Sequence, residues 1–357
     1  MKRIIFFVAA LLLGAASLDA HTEGTPSHSI TITTEGLWNA TTGIANWVNL
    51  LESDTQIALP FGLDFDLELL AIGNLRMDQG KSGVADNLHL FSAIEDSPST
   101  LALLTFGLEK RLWNDRWMLY VGVRHMGNDY FNSTWNSVFT SAMNALFPSI
   151  ATNFVVPDAP KAAMAIHAEW QPNQNWHAKL SIYDGVASQL WSELFSLNIR
   201  RDGIFTISQA GYSGNKGSLL GTYNIGATYG YAPTVATLAH GERSKSSRAS
   251  AWMLAEQPLY LWPQGRELYL VLHGAWAPKS DCDTYMGGAL VCHSFLLEDD
   301  YIGLMLSRGN YGNDHETQVE LTYSLPYKYG TLQPALHRVH SSVGNYTIGM
   351  LKLTLEL

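Results

Sequence analysis

The sequence predicts an all-β chain folded as a transmembrane antiparallel β-barrel of about 16 strands, with short periplasmic turns and long extracellular loops. Three observations carry this expectation. Segment after segment alternates polar and apolar residues with a period of two, the pattern of a sheet with two unlike faces. Short turns alternate along the chain with long excursions, the asymmetry of a barrel whose two ends differ. The chain also holds 11 Trp, 16 Tyr, 13 Phe and 30 Gly, while charged residues make up only 15%, against about 25% in ordinary soluble domains. Aromatic girdles and lipid-facing strand positions account for that composition. A large soluble β protein would share it, so the pattern along the chain has to decide.

Lys2 and Arg3, the apolar run 4–13, the small residues Gly14, Ala15 and Ala16, and Ala20 before His21 have the order of a cleaved export signal over residues 1–20. The run is far shorter than the ~20 residues of a membrane-spanning helix. No later window is apolar enough for a helical span, which leaves residues 21–357 as one barrel domain; at roughly 20 residues per strand and connection they make about 16 strands.

Strands are expected at 29–34 and 63–77, where Asp64, Asp66 and Glu68 share one face and Phe65, Leu67 and Leu69 the other. Residues 101–112 and 116–126 form a hairpin about Trp113, Asn114 and Asp115. In its first strand Thr105, Gly107, Glu109 and Arg111 oppose Leu104, Phe106 and Leu108. In its second, Arg116, Tyr120 and Arg124 oppose Trp117, Leu119, Val121 and Val123. After the excursion 128–160, His167 and Glu169 alternate with Ile166 and Trp170, and beyond the turn 171–175 His177, Lys179, Ser181 and Tyr183 alternate with Leu180 and Ile182. Further strands follow at 194–200, 203–212, 222–231, 249–256, 267–277, 301–307, 317–325, 331–340 and 346–357. Residues 326–330 make a short turn, whereas 232–247 and 278–298 are long excursions. Within the excursion at 128–160, Trp135, Val138, Phe139, Ala142, Met143, Leu146 and Phe147 recur at helical spacing. A short amphipathic helix ended by Pro148 is expected, packing its own apolar stripe; the rival arrangement folds it into the barrel and brings Asn132, Trp135 or Asn136 into the lumen.

The formal charge is −10, with no basic run or face, which excludes nucleic acid as a partner and argues against an anion pore lined by Arg and Lys. Cys282 and Cys292 lie in a polar, glycine-containing segment of an exported chain, so a disulfide pinning a loop is expected in preference to two free thiols. No metal-ligand spacing accompanies them. Catalytic motifs are also missing: Gly-x-Ser-x-Gly and His-Glu-x-x-His are absent, no glycine-rich phosphate loop precedes a helix, and His337 and His340 fall on opposite faces of a strand. Neither an enzyme nor a cofactor is expected.

The order RHMGNDYFN, FP and PKAAMAIHAEWQPNQNWHAKLSIYDG between residues 124 and 185, followed by ETQVELTYSLPYKYGTLQPALHRVHSS over residues 316–342, resembles the OprB family of carbohydrate-selective outer-membrane porins. Weaker likeness runs through 36–47 and 87–111. The chain departs from outer-membrane barrels at its last residue, where Leu357 stands in place of the usual aromatic.

The resemblance implies an outer-membrane barrel through which sugars diffuse passively, past a constriction lined by Arg, Glu and aromatic side chains. Guanidinium and carboxylate groups bond hydroxyls there, while rings stack on the apolar faces of pyranoses. On this likeness Glu109, Tyr120, Arg124, Trp135, His167, Glu169 and Lys179 are candidates for the solute path. Each could equally be a solvated lumen group with no part in selectivity. Sugars and outer-membrane lipid are the expected partners, and the oligomeric state stays open, a monomer being admissible. Two other readings remain: an outer-membrane barrel enzyme, and an exported soluble β-rich sugar-binding protein.

Overall fold

Sixteen antiparallel strands close on themselves in the computed structural model, which describes residues 26–76, 83–85, 87–89, 91, 92, 94, 99–214, 219–263 and 265–357. The expected export signal at 1–20 lies outside the described residues. In chain order the strands are β1 (Ser27–Asn39), β2 (Ala45–Leu59), β3 (Leu63–Arg76), β4 (Thr100–Leu112), β5 (Trp117–Arg124), β6 (Ala163–Trp170), β7 (Trp176–Asp184) and β8 (Ile204–Ser213). They continue as β9 (Thr222–Pro233), β10 (Lys245–Leu261), β11 (Glu267–Trp276), β12 (Thr284–His293), β13 (Tyr301–Tyr311), β14 (Asp314–Tyr327), β15 (Gly330–Ser341) and β16 (Asn345–Glu356). Each strand pairs with its neighbours in sequence, and β1 pairs with β16 from Thr31↔Glu356 to Asn39↔Ile348. Closure leaves no unpaired sheet edge, which hydrocarbon would not tolerate.

The two ends differ as the spacing predicts. Connections 60–62, 113–116, 171–175, 262–266 and 328–329 at one end are short, whereas 77–99, 125–162, 185–203 and 234–244 all lie at the other. The short turns include Trp113, Asn114 and Asp115, which all adopt positive φ. The long-loop end is the extracellular one in a bacterial barrel. Exposed rings mark both interfaces: Trp113, Trp170, Trp176, Tyr260 and Tyr329 beside the short turns, and Trp38, Trp47, Tyr229, Tyr231 and Trp276 beside the long loops.

Four details differ from the sequence expectation. Residues 194–200 are not a strand; they belong to the 185–203 loop, with short helices α3 (Trp191–Leu194) and α4 (Ile199–Asp202). β2 carries no clean alternation. β12 occupies the supposed excursion 278–298, where Gly287 is required because any Cβ there would lie 1.8 Å from the ring of His273 on the paired strand. A bulge in the pairing of β3 with β4, between Glu68 and Leu69, shifts the phase at Leu104. Leu104 thereby faces the lumen beside Leu70 and Ala102 instead of lying opposite Thr105.

The cysteines depart from expectation as well and form no disulfide. Cys282 is buried ahead of β12, and Cys292 stands near the far end of that strand. A strand rises about 3.3 Å per residue, so ten residues of extended chain hold the thiols apart, well beyond the Cα separation of about 4.4–6.8 Å that a bridge needs.

The interior is largely filled by the 125–162 loop. Its helical spacing yields two single turns, α1 (Ala142–Ala145) and α2 (Pro148–Ala151), so Pro148 begins a helix at its first position instead of ending one. The apolar stripe packs against the inner wall of the barrel, not against itself. Phe131 and Phe147 meet Trp252, Phe147 stacks on Tyr285, and these rings join Tyr183, Phe205, Val271 and Met305 in one buried cluster. Phe139 lies where a side chain on Gly303 would be, 2.8 Å from an ideal Cβ.

Two tests follow. Labelling of unfolded, unreduced protein should count two thiols, and a count of zero would restore the disulfide. Gly303→Val should displace Phe139 and cost about 1–3 kcal/mol, read as a lower transition temperature in heat-modifiable gel migration.

Candidate solute path

Position in the solute path depends on alternation and on the inserted loop together. Along β3, β4 and β5 the inward residues are Asp66 and Glu68, Thr105 and Glu109, Tyr120 and Arg124; along β6 and β7 they are His167 and Glu169, Lys179 and Ser181. The loop then runs through the middle of this ring. Arg124 donates from Nε and Nη2 to the two carboxylate oxygens of Asp129, at 2.7 and 2.6 Å, the planar two-point pairing for which guanidinium is suited. Burial pushes the Asp129 carboxyl up, but the hydrogen bonds and charge of Arg124 outweigh that and hold it below the ordinary aspartate range.

Polar groups chain onward from this pair. His167 Nδ1 is 3.9 Å from Asp129 and 2.6 Å from Ser181 Oγ, its Nε2 lies 3.2 Å from Glu169, and Lys179 sits 3.1 Å from the same carboxylate. Glu109 pairs with Arg111 at 2.8 Å. Asp129, His167 and Glu169 could also converge on a cation, but Arg124 and Lys179 already balance the two carboxylates.

Segment 128–132 divides the lumen. On one side a cavity of about 320 Å³ is lined by Asp54, Gln56, Asp66, Glu68, Glu109 and Arg124, with Asn128 contributed by the loop. On the other a space of about 650 Å³ is lined by Asp129, Glu169, His177, Lys179, Gln209 and Glu256, again with Asn128. A third cavity of about 340 Å³ sets Glu35, Glu52 and Lys352 opposite Phe131, Asn132, Asn136 and Phe139.

Of the residues singled out from sequence, Glu109 and Arg124 border the first space and Glu169 and Lys179 the second. The other three border none of these cavities. His167 is fully enclosed. Tyr120 is buried beneath Arg124, whose guanidinium lies 4.6 Å above its ring, and its hydroxyl donates to the Val123 carbonyl. Trp135 stacks on Tyr269 and His293 with centroids at 4.5 and 5.2 Å. Sequence reading missed Asp129, Asp54 and Gln56. Asp129 sits in a loop with no period to mark it, and the other two lie on the unrecognised strand β2.

Wall carboxylates hold the loop in place. Glu256 accepts from Ser133 Oγ, Trp135 N and Asn136 N at 2.5, 2.5 and 2.8 Å. Glu320 accepts from Thr140 N and Oγ1 and from Ser141 N at 2.8–3.1 Å. The loop at 77–99 is tied likewise, through Leu88 N to Glu316 and Ser92 Oγ to Glu35, both at 2.6 Å.

A family model described as carbohydrate-selective porin, OprB family, matches residues 78–348. The chain belongs to that family. It is an outer-membrane porin through which sugars diffuse passively, located in the bacterial outer membrane. Among solved structures, Pseudomonas putida OprB at high pH aligns over 93% of this chain and 94% of its own, with 14% identity and a TM-score of 0.75. The low-pH form of that protein gives 16% identity and 0.64 over 93% and 92%. An anion-selective porin from Comamonas acidovorans gives 10% identity and 0.55 over 93% and 98%. These likenesses establish the fold. No curated protein matches the chain.

Two outcomes are expected of the clamps. Glu320→Ala leaves the Thr140 and Ser141 N–H groups buried without their acceptor, at about 1–3 kcal/mol for each orphaned group, and limited proteolysis should then cut within 137–146. Because the Asp129 carboxyl is held low, its contribution to stability is complete above the ordinary aspartate value of about 3.9 and is lost as pH falls through the depressed value. Asp129→Asn should remove that acid-side loss from the pH–stability curve.

Proposed function

We propose that sugars pass through the polar spaces on either side of segment 128–132, with Glu109 and Arg124 on one wall and Glu169 and Lys179 on the other. The supporting observation is the inserted loop itself, which leaves gaps lined by carboxylate acceptors and cationic donors in place of an open lumen. The first cavity, at about 320 Å³, falls within the roughly 300–1,000 Å³ usual for small-molecule sites. Sugar hydroxyls exchange water for Asp66 and Glu109 as acceptors and Arg124 as donor, and competition from water in the cavity keeps each contact reversible enough for release. Of the candidates from sequence, Tyr120, Trp135 and His167 act from behind the wall, holding Arg124, the loop and Glu169 in place.

Passage of this kind has no catalytic step and needs no cofactor, and one chain completes the barrel, so a monomer is a sufficient unit. Export to the outer membrane supports reading residues 1–20 as a signal removed from a single domain at 21–357.

Liposome swelling tests the reading. Sugars should enter faster than inert solutes of matched size. In Asp66→Asn/Glu109→Gln, sugar block of ionic current should weaken by roughly tenfold, the scale of one lost charge-assisted hydrogen bond. Sugars entering no faster than matched solutes would sink the selectivity; unchanged block in the variant would move the path to the second space.

A further inference from the structure

The outer wall is incomplete on one side of the barrel. β5 and β6 have eight residues each, short of the roughly 9–11 that a tilted transmembrane strand needs, so this wall is too low for the hydrocarbon layer. The loop 185–203 makes up the difference. It folds down the outside, burying Leu194 against Leu103, Val123 and Ala162 and setting Phe195 edge-on to Phe106 at 5.4 Å. It then presents Leu190, Trp191, Phe195, Leu197 and Ile199 outward, all about half exposed or more. Those side chains extend the lipid-facing belt of β4 and β5 without a break.

Cations gather at the extracellular rim beside this surface. Arg201 and Arg243 share the buried carboxylate of Asp202. Lys245, the first residue of β10, donates to the Arg200 carbonyl and lies 5.4 Å over the outward ring of Tyr231. Arg200 is exposed, and its guanidinium has no partner among the described residues. Asp202 is the one carboxylate that any of the four contacts among the described residues; Glu193 on the same loop turns to Ser188 Oγ instead. In a chain of net charge −10, Arg200 without a partner and Lys245 bonded only to a carbonyl among the described residues, next to an apolar surface at membrane level, suit an anion attached to acyl chains.

We propose that this face is a binding site for a phosphate-bearing lipid of the outer leaflet, with acyl chains along Leu190, Trp191, Leu197 and Ile199 and the phosphate at Arg200 and Lys245. The site lies outside the lumen and is independent of the solute path.

Native mass spectrometry of the detergent-purified full chain tests it, with diphosphorylated lipid A as probe. Wild type should retain one such lipid. Dephosphorylated lipid A and the variant Arg200→Gln/Lys245→Gln should each lower retention by roughly tenfold, while Lys328→Gln at the opposite rim should not. The double variant spares the Asp202 pairings, and unaltered heat-modifiable migration with normal sugar flux verifies its fold. Equal retention of the dephosphorylated lipid, or by the double variant, would overturn the proposal. Competition by inorganic phosphate alone would overturn the lipid as the source of the anion. A dimer that Leu197→Ser dissociates, with no lipid retained, would replace it with a contact between copies of this chain.

Discussion

Everything inside the barrel depends on carboxylates of the wall accepting hydrogen bonds from backbone N–H groups of the loops. A loop drawn into a lumen carries donors that no strand ladder satisfies, and burying them unpaired would be prohibitive. Glu256 and Glu320 take up those of segment 133–141, and Glu316 takes the N–H of Leu88. The two loops also meet each other, with Ala142 N donating to the Phe91 carbonyl at 3.0 Å. Four of the acidic residues that make the chain anionic, Glu35, Glu256, Glu316 and Glu320, therefore act as internal anchors. Asp54, Asp66 and Glu109 instead line the first cavity.

That arrangement explains how a barrel of sixteen strands leaves narrow passages. The half of the wall from β7 to β13 turns rings and aliphatic side chains inward, against the usual polar lumen, because the loop brings its own apolar stripe to meet them. The opposite half carries a second inward cluster, with Leu37, Val48, Leu70, Leu104 and Ile348 packed under Val84 and Phe91, and turns Asp54, Gln56, Asp66 and Arg124 to the first cavity. Arg124 is fixed by Asp129 on one side and by the Tyr120 ring on the other, so it borders the first cavity as a rigid donor. Rigidity matters for selectivity, since a fixed guanidinium loses little rotamer freedom when a hydroxyl arrives.

The asymmetry of the outer wall has the same origin. Where β5 and β6 shorten, the chain between them plunges into the lumen and the next long loop drops over the outside. One deficit in strand length is thus filled from within by 125–162 and from without by 185–203.

Sequence alone determined the barrel and the facing of its strands, because a period of two is a local property readable wherever one face meets lipid and the other water. It put Glu109, Arg124, Glu169 and Lys179 on the inner side before any fold was known. Tertiary structure alone decided the rest. Leu104 turned inward through a bulge that no alternation reveals, and β12 hid behind a pair of glycines, of which Gly287 makes room for His273 across the sheet. The cysteines looked close in number but were held apart by an extended strand. Asp129 became the partner of Arg124 only because the loop enters the barrel, an outcome set by wall carboxylates more than a hundred residues away along the chain. Periodicity encodes which way a residue points, whereas pairing between distant segments depends on packing the whole ring at once.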